Sequence, residues 1–490
     1  MNVNYVLNMQ NKKLLWHHWA KIRGEKICLL TEQKKYNWSE LKIMVDNFSY
    51  QLTQYFQRKN QQKIISVITK NNLNALLIYL AGLQSGITVA LIAPDDIDSI
   101  IQKLNHLKNR FFYTPPKTIS KWHLQKLAKL GYRRIFFRHQ KQNINEKVIY
   151  KSNENSNIIF TSGSAGKPKA IIHTFYNHYF SAKGLLKKIE FRQNHCWALT
   201  LPLYHISGLA IIWRWLYRGA ILKIPDNWKD LEYSTHASLV PAQLHELLKS
   251  KPLLKLETVL LGGGYVDPKL AGACVKKNIN TWVGYGLTEA TSTVCLEKIS
   301  ENNNSSFSGE LLNYRKLKII NKQIYVGGKV LAKGYLRNGK LYKYDSKKMM
   351  PTGDLGEYVN TKDSHQISKK IRIIGRVDNL FISGGKNIYC EEIENQLQIS
   401  PKIISAIVIP VATENFGAQS VAIIDSSINL ARVDFSKILS RLPKYKHPIK
   451  YLQFPKSLIN NKNKNLIKPS RFKVKKWFFE NHEYNPIKFN

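Results

Sequence analysis

From Trp38 onward, stretches in which apolar residues recur every three or four positions alternate with short β-branched runs at residues 64–68, 88–92, 158–160 and 259–261. Helical periodicity interrupted by short apolar runs predicts parallel strands joined by helical crossovers, an α/β architecture. The most apolar stretch, residues 75–93, is broken by Gly82, Gln84, Ser85 and Gly86, so it reads as a buried helix, a glycine turn and a strand rather than a membrane span. After Leu317 the pattern shortens. Runs at 317–320, 323–326 and 370–374, separated by Gly and Asn turns, predict a small β-barrel-like subdomain. Beyond Asp378 a compact basic segment shows a helical pattern at 391–398 and a strand pattern at 406–410. The expected organisation is a large N-terminal body of layered α/β sheets over residues 1–377 and a small C-terminal α+β domain over 378–490. The 490 residues agree with two domains, since one core rarely grows past about 300 residues.

Composition narrows the class without naming a function. With 43% hydrophobic and 11% aromatic residues the chain is globular, not low-complexity. The formal charge of +42, from 75 Lys+Arg and 33 Asp+Glu, raises nucleic acid or an anionic membrane as partners. The basic residues are spread along the chain rather than gathered, so compositional drift is the expectation and no nucleic acid is expected, while peripheral membrane contact stays open. The N-terminal MNVNYVLNMQNKKLLWHHWA lacks the apolar core and cleavage site of a signal peptide. Cys28, Cys196, Cys274, Cys295 and Cys390 form no C-x-x-C pair, which fits a reducing, cytoplasmic setting without disulfides or zinc.

The candidate chemistry lies in four short segments. In N157-IIFTSGSAGKPK-169 a strand enters a Ser/Thr/Gly loop with two lysines, which can aim backbone N–H groups and hydroxyls at phosphate oxygens. It is no Walker A loop, because Pro168 follows Lys167 where that motif opens a helix; alone, it reads sooner as a surface hairpin rich in turn formers than as a phosphate site. GYGLTE, residues 284–289, sets an aromatic ring, a hydroxyl and a carboxylate in one glycine-framed turn. Tyr285 there can stack on a purine and Glu289 can hold Mg²⁺ at a triphosphate. T352-G-D354 offers a carboxylate to two ribose hydroxyls, and GRVD, residues 375–378, precedes SGGKNI and EEIE.

Taken in order, TSGSAGKPK, GYGLTEATS, PTGD and GRVDNLFISGGKNI resemble the adenylate-forming superfamily of acyl-CoA synthetases, luciferases and peptide-synthetase adenylation domains. The resemblance covers nearly the whole chain. Within that superfamily the longer flanks LPLYHISGLAIIWRWLYRGA, SLVPAQL and IKPSRFKVKKW resemble the 2-succinylbenzoate-CoA ligases of menaquinone biosynthesis. Another acyl- or aryl-CoA ligase shares the nucleotide motifs and remains the alternative. A non-catalytic polyanion binder on a decayed ligase fold is disfavoured by the intact motif residues.

The resemblance implies ATP, Mg²⁺ and coenzyme A, and assigns roles residue by residue. Thr161, Ser162, Gly163, Ser164, Gly166 and Lys169 would hold the outer phosphates, with Ala165 where the family commonly has Thr. Gly263, Gly264 and Tyr285 would frame the adenine, Thr288 would meet the α-phosphate, Glu289 the metal, and Asp354 and Arg376 the ribose. Lys468 would be the mobile catalytic cation, although Ile467 replaces the family's glycine and Lys462, Lys464 and Lys473 stand close by. Asp378 occupies the hinge position of a mobile cap, and Gly384 and Gly385 would line the pantetheine path. His205 matches a position near the acyl and CoA pockets. Arg214, amid apolar IIWRWL, either neutralises the second carboxylate of the acyl substrate or snorkels to the surface. Ser292 and Thr293 would line the same pocket.

Overall fold

The protein, a computed structural model, is described over residues 14–56, 63–139, 153–162, 168–227, 229–249, 255–300, 308–363, 366–413, 417–455 and 471–486. The apolar stretch after Asn72 forms the helix Leu73–Ser85, with Asn72 Oδ1 accepting from the Ala75 N–H at 3.0 Å and Gly86 closing it in the left-handed conformation, φ 68°. The strand Thr88–Ile92 follows and is buried along its length. Such an element, apolar all round, is stable only when covered on every side. Here helix Trp38–Tyr55 packs on it, and the Gln84 side chain caps the inner end by donating to Asp46 at 2.7 Å.

Two large sheets organise the body. In the eight-stranded sheet Ile64–Ile68, Thr88–Ile92, Phe111–Tyr113 and Arg133–Arg134 run parallel, and Thr88–Ile92 also pairs in parallel with Asn155–Ser162. That last strand then turns back antiparallel on Pro168–Thr174, with Thr161 opposite Lys169 and Ser162 opposite Pro168. The thirteen-stranded sheet has a parallel part, containing Cys196–Ala198, His236–Leu239, Thr258–Leu261 and Asn280–Leu287, and an antiparallel part. Buried parallel strands read as continuous apolar runs, which is why Thr258–Leu261 is buried at every position.

The barrel expected after Leu317 is corrected. Arg315–Ile320, Gln323–Gly328, Met350–Asp363 and Gln366–Arg376 form successive antiparallel ladders, but among the described residues no ladder closes them into a ring. Instead Ser308–Leu311 joins them to the body. Its first residues pair with Ile371 and Arg372, while Glu310 and Leu311 pair with Leu296 and Cys295. One short strand shared between two neighbours makes these ribbons an extension of the large sheet.

The segment after Asp378 carries its own core. Ile403–Thr413 and Gly417–Ser426 form an antiparallel pair, with Lys450–Gln453 added in parallel. Side-chain alternation sends Ala406 and Val408 toward helix Cys390–Leu397, and Ile407, Ile409 and Val411 toward helix Arg471–Asn481. Burial of each such aliphatic side chain contributes about 1.5–3 kcal/mol, so both faces of this small sheet are committed. Glu394, 1% exposed, ties helix to sheet by accepting from the Val408 N–H at 2.8 Å and pairing with Arg471.

Among the described residues no helix is long and apolar enough to cross a membrane.

Candidate active site

Three of the predicted nucleotide residues meet at Asp354. Thr352-Gly-Asp lies within strand Met350–Asp363, at the irregularity in its pairing with Gln323–Gly328, with Thr352 Oγ1 donating to the Ile324 carbonyl at 2.9 Å and accepting from the Asp354 N–H at 3.0 Å. Gly353 has φ 76°, and a Cβ there would lie 2.9 Å from the Arg376 guanidinium, so glycine serves both the left-handed backbone inside the strand and the close approach. Arg376 Nη1 donates to Asp354 Oδ1 at 2.7 Å, and the Tyr285 hydroxyl donates to Oδ2 at 2.6 Å. Burial pushes the Asp354 carboxyl above its ordinary range despite Arg376. Burial, then the charge of Asp354, holds the Tyr285 hydroxyl well above the usual phenol value. Burial opposes the Arg376 charge, but Asp354 and Asp378 outweigh it and hold the guanidinium above its usual value. A carboxylate has about four lone-pair directions, so two stay available to ribose hydroxyls after Tyr285 and Arg376 are served.

The second group stands around Lys169, on the strand that follows the predicted phosphate loop. Lys169 Nζ lies 3.9 Å from Glu289 Oε1 and 4.7 Å from the centre of the Tyr335 ring, the lysine partly exposed and the glutamate more buried. Thr288 and Glu289 sit in the short turn Thr288–Ala290 that links Asn280–Leu287 to Ser292–Lys298. Gly286 is required just before it, since a Cβ would fall 2.1 Å from the Ser292 carbonyl. Thr161 and Ser162 end the strand that enters the loop. Gly163, Ser164 and Gly166 lie outside the described residues, as do Lys462, Lys464 and Lys468. Lys473 is exposed on helix Arg471–Asn481.

Arg214 corrects one expectation. It lies in helix Ile206–Arg218 and is 3% exposed, so it does not snorkel to the surface. Its guanidinium stacks 4.9 Å over Trp197 and donates to Ser238 Oγ at 3.2 Å, while its Nε has no hydrogen-bond partner among the described residues. Among the described residues no carboxylate pairs with it, and burial, with help from Arg315, pushes it down to about 9. A buried guanidinium lacking an acid is destabilised unless an anion arrives. Ser238, from the SLVPAQL segment, also accepts from Trp197 Nε1 at 3.2 Å. The sequence marked that segment but not the serine's role.

Ser292 and Thr293 are buried in the strand following the turn. The Thr293 carbonyl accepts from Arg315, whose guanidinium also reaches the Phe180, Ser181 and Asn313 carbonyls. Arg315 is a second buried arginine that periodicity did not single out; it is satisfied entirely by neutral oxygens and joins helix Phe175–Leu185 to this strand. His205 precedes the helix carrying Arg214, and its carbonyl accepts from the Gly208 and Leu209 N–H groups. Burial lowers its imidazole below the ordinary value, with Asp95 opposing. Gly263, φ 80°, and Gly264 are exposed at the end of Thr258–Leu261. Gly384 and Gly385, φ 53° and 73°, form the two-residue turn between Leu380–Ser383 and Lys386–Tyr389. Asp378 is half-exposed, 3.5 Å from Arg376 Nη2.

The AMP-binding enzyme family matches residues 16–336. The chain belongs to that family. Among its relatives, the 2-succinylbenzoate–CoA ligase of Escherichia coli strain K12 is 33% identical over 94% of this chain and 97% of its own length. The ligase of the same name from Haemophilus influenzae is 32% identical, again over 94% and 97%. Among solved structures, a variant of Escherichia coli MenE with bound OSB-AMS superposes with a TM-score of 0.80 at 30% identity, covering 95% of this chain and 98% of that one. The Bacillus subtilis MenE in complex with ATP and magnesium ion shares the fold, TM-score 0.78, at 23% identity and with 90% and 95% covered. The fold of this AMP-binding enzyme is therefore MenE-like, with its α/β sheets in the order described.

Proposed function

We propose that this AMP-binding enzyme is a 2-succinylbenzoate-CoA ligase of menaquinone biosynthesis. A carboxylate oxygen of 2-succinylbenzoate attacks the α-phosphorus of ATP, the bond to pyrophosphate breaks, and an acyl-adenylate forms. The coenzyme A sulfur then attacks the acyl carbon, its proton leaves, and the bond to AMP breaks. The nucleophilic carboxylate is ionised near neutral pH and needs no base, so His205 is assigned a pocket role rather than proton transfer.

The protein's task is to position the reactants and neutralise growing phosphate charge. In this reading Asp354 and Arg376 grip the ribose, Tyr285 with Gly263 and Gly264 borders the adenine, and Thr288 faces the α-phosphate. Lys169, with Thr161, Ser162, Gly163, Ser164 and Gly166, takes the leaving pyrophosphate. Magnesium, when bound, offsets triphosphate charge, and Glu289 fits it as a hard oxygen donor. Among the described residues no cluster of three His, Cys, Asp or Glu forms a protein cage. Arg214, supported by Ser238, receives the second carboxylate beside Ser292 and Thr293.

The domain reading places a mobile cap after Asp378, delivering Lys468 for adenylation and the Gly384-Gly385 turn for thioester formation. Lys468→Ala is expected to abolish adenylation yet leave thioester formation from supplied acyl-adenylate, and equal loss of both half-reactions removes the assignment. We place the enzyme in the cytoplasm, where its five cysteines, all free and buried, stay reduced.

The observation that carries the acyl choice is the buried Arg214, which meets no acid among the described residues, in a chain that matches a 2-succinylbenzoate ligase over 94% of its length. Pyrophosphate release is to be compared with succinylbenzoate, benzoate and octanoate. Preference for either monoacid overturns the choice.

A further inference from the structure

The turn that carries Thr288 and Glu289 is strained. Thr291 and Ser292 both have left-handed backbone, φ 49° and 85°, and neither is glycine. Such backbone is costly for a residue with a Cβ and persists only where its surroundings over-determine it. They do so here. The Ala332 N–H donates to the Glu289 carbonyl at 2.8 Å, Thr291 Oγ1 donates to the Val330 carbonyl at 2.6 Å, and Ser181 Oγ donates to the Thr291 carbonyl at 2.6 Å. The Thr288 carbonyl accepts from the Thr291 N–H at 3.1 Å and stands 2.8 Å from His173 Nε2.

His173 lies on strand Pro168–Thr174, four residues after Lys169. Strand periodicity of two puts both side chains on one face. That face presents the lysine to Glu289 and the histidine to the carbonyl of the residue before it. The imidazole is completely buried, and its tautomer follows from its neighbours. A carbonyl only accepts, so Nε2 carries the proton and Nδ1 accepts from Asn157 Nδ2 at 3.2 Å. Asn157 is fixed in turn: its Oδ1 accepts from Ser156 Oγ at 2.8 Å and from His178 Nε2 at 2.7 Å. His178 is itself stacked on Trp213, 5.1 Å away at 6°. Burial pushes His173 down to about 4, so the neutral form persists under working conditions.

We infer that His173 is a positioning residue for adenylation: its Nε2–H pins the Thr288 carbonyl and so holds Thr288 and Glu289 toward the triphosphate opposite Lys169. The inference rests on the ligase reading, in which that turn meets the α-phosphate and the metal. Asn157, from the strand that enters the phosphate loop, locks the donor, so both strands of the loop hairpin set the turn.

The test compares full-length wild type, His173→Gln and His173→Leu in succinylbenzoate-dependent ATP–pyrophosphate exchange per folded molecule, over a range of MgCl₂ concentrations, with Tm measured alongside. Wild-type exchange tests the ligase reading by itself, and its absence removes that reading and this inference together. Given exchange, the leucine variant is expected to lose about 10²-fold in kcat and to need more Mg²⁺, with KM for succinylbenzoate unchanged. The glutamine amide reaches as far as Nε2 and is expected to restore about tenfold of that loss, although both variants lose the Nδ1 acceptor and drop in Tm. Equal impairment of both variants, or full activity per folded leucine variant, overturns the inference. If the leucine variant does not fold, His173→Asn replaces it, because its shorter amide fills the site without reaching Thr288; activity equal to that of the glutamine variant overturns the inference in the same way.

Discussion

Arg376 and Arg214 carry the same guanidinium, yet one stands with Asp354 and Asp378, its side chain 44% exposed, and the other is 3% exposed, stacked on Trp197 with Ser238 as its hydrogen-bond partner. Arg376 is electrostatically complete before any substrate arrives. Its acid partner, in turn held by Tyr285, keeps two lone-pair directions for the ribose hydroxyls of the proposed reaction. Arg214 meets no acid among the described residues, so its desolvation is left to the Trp197 ring and Ser238 until the proposed carboxylate enters. In the proposed reaction the paired charge serves the nucleotide and the unpaired one the second carboxylate of the acyl substrate.

The strongest attempt to break this contrast is Arg214→Met. The kcat/KM for succinylbenzoate is expected to fall about 10²- to 10³-fold, the range for removing one partner of a buried charged contact. KM for ATP should hold, and Tm should stay level or rise, since an uncompensated buried charge has been replaced by an apolar side chain of similar volume. A loss of stability with ATP affinity lowered in parallel would show that Arg214 supports the fold instead.

Asp354→Asn should do the reverse. Losing hydrogen bonds to a charged acceptor is worth about 1.5–3 kcal/mol, so KM for ATP should rise about tenfold to a hundredfold while KM for succinylbenzoate stays put. Steady-state titration of each substrate separates the two effects.

Acid should strike both regions. Burial depresses His173, beside the nucleotide turn, and His236, whose ring is 5.1 Å from that of Trp197, to about 4 from an ordinary 6.5. The stability contributed by keeping them neutral is fully present above pH 6.5 and is lost as pH falls through 4, because the unfolded chain takes up these protons first. Tm measured against pH should therefore fall within that window, and a flat profile there breaks the account.

The mildest change is Ser238→Ala, which removes one neutral acceptor from Arg214 and Trp197. About 1 kcal/mol is expected in urea denaturation, with a several-fold rise in KM for succinylbenzoate and none for ATP.

The fold was legible where local pattern decides conformation. The buried helix, glycine stop and strand after Asn72 follow from residue order, since Asn at the start and Gly at the end satisfy backbone groups that no distant contact needs to supply. The barrel misreading has the opposite origin. Alternating residues in 317–374 specify antiparallel ribbons, but whether these close on themselves or extend another sheet depends on Ser308–Leu311 dividing its hydrogen bonds between Cys295–Leu296 and Ile371–Arg372. Arg214 shows the same limit at the scale of one residue. Helical spacing around it could not say which face is covered, because the cover comes from Trp197 and Ser238 on separate strands.

By itself, then, the sequence determined the local elements, the turns that demand glycine, and the motif residues whose order places the chain among AMP-binding enzymes. Tertiary structure alone decided that Asp354 receives Tyr285 from 69 residues away, that His173 reaches Thr288 across 115, and that nothing acidic among the described residues meets Arg214. Periodicity and capping act within a few residues and leave their mark in the chain. Pairing between distant strands depends on the register in which whole sheets pack, and a charge's partner, or the lack of one, exists only after that packing is complete.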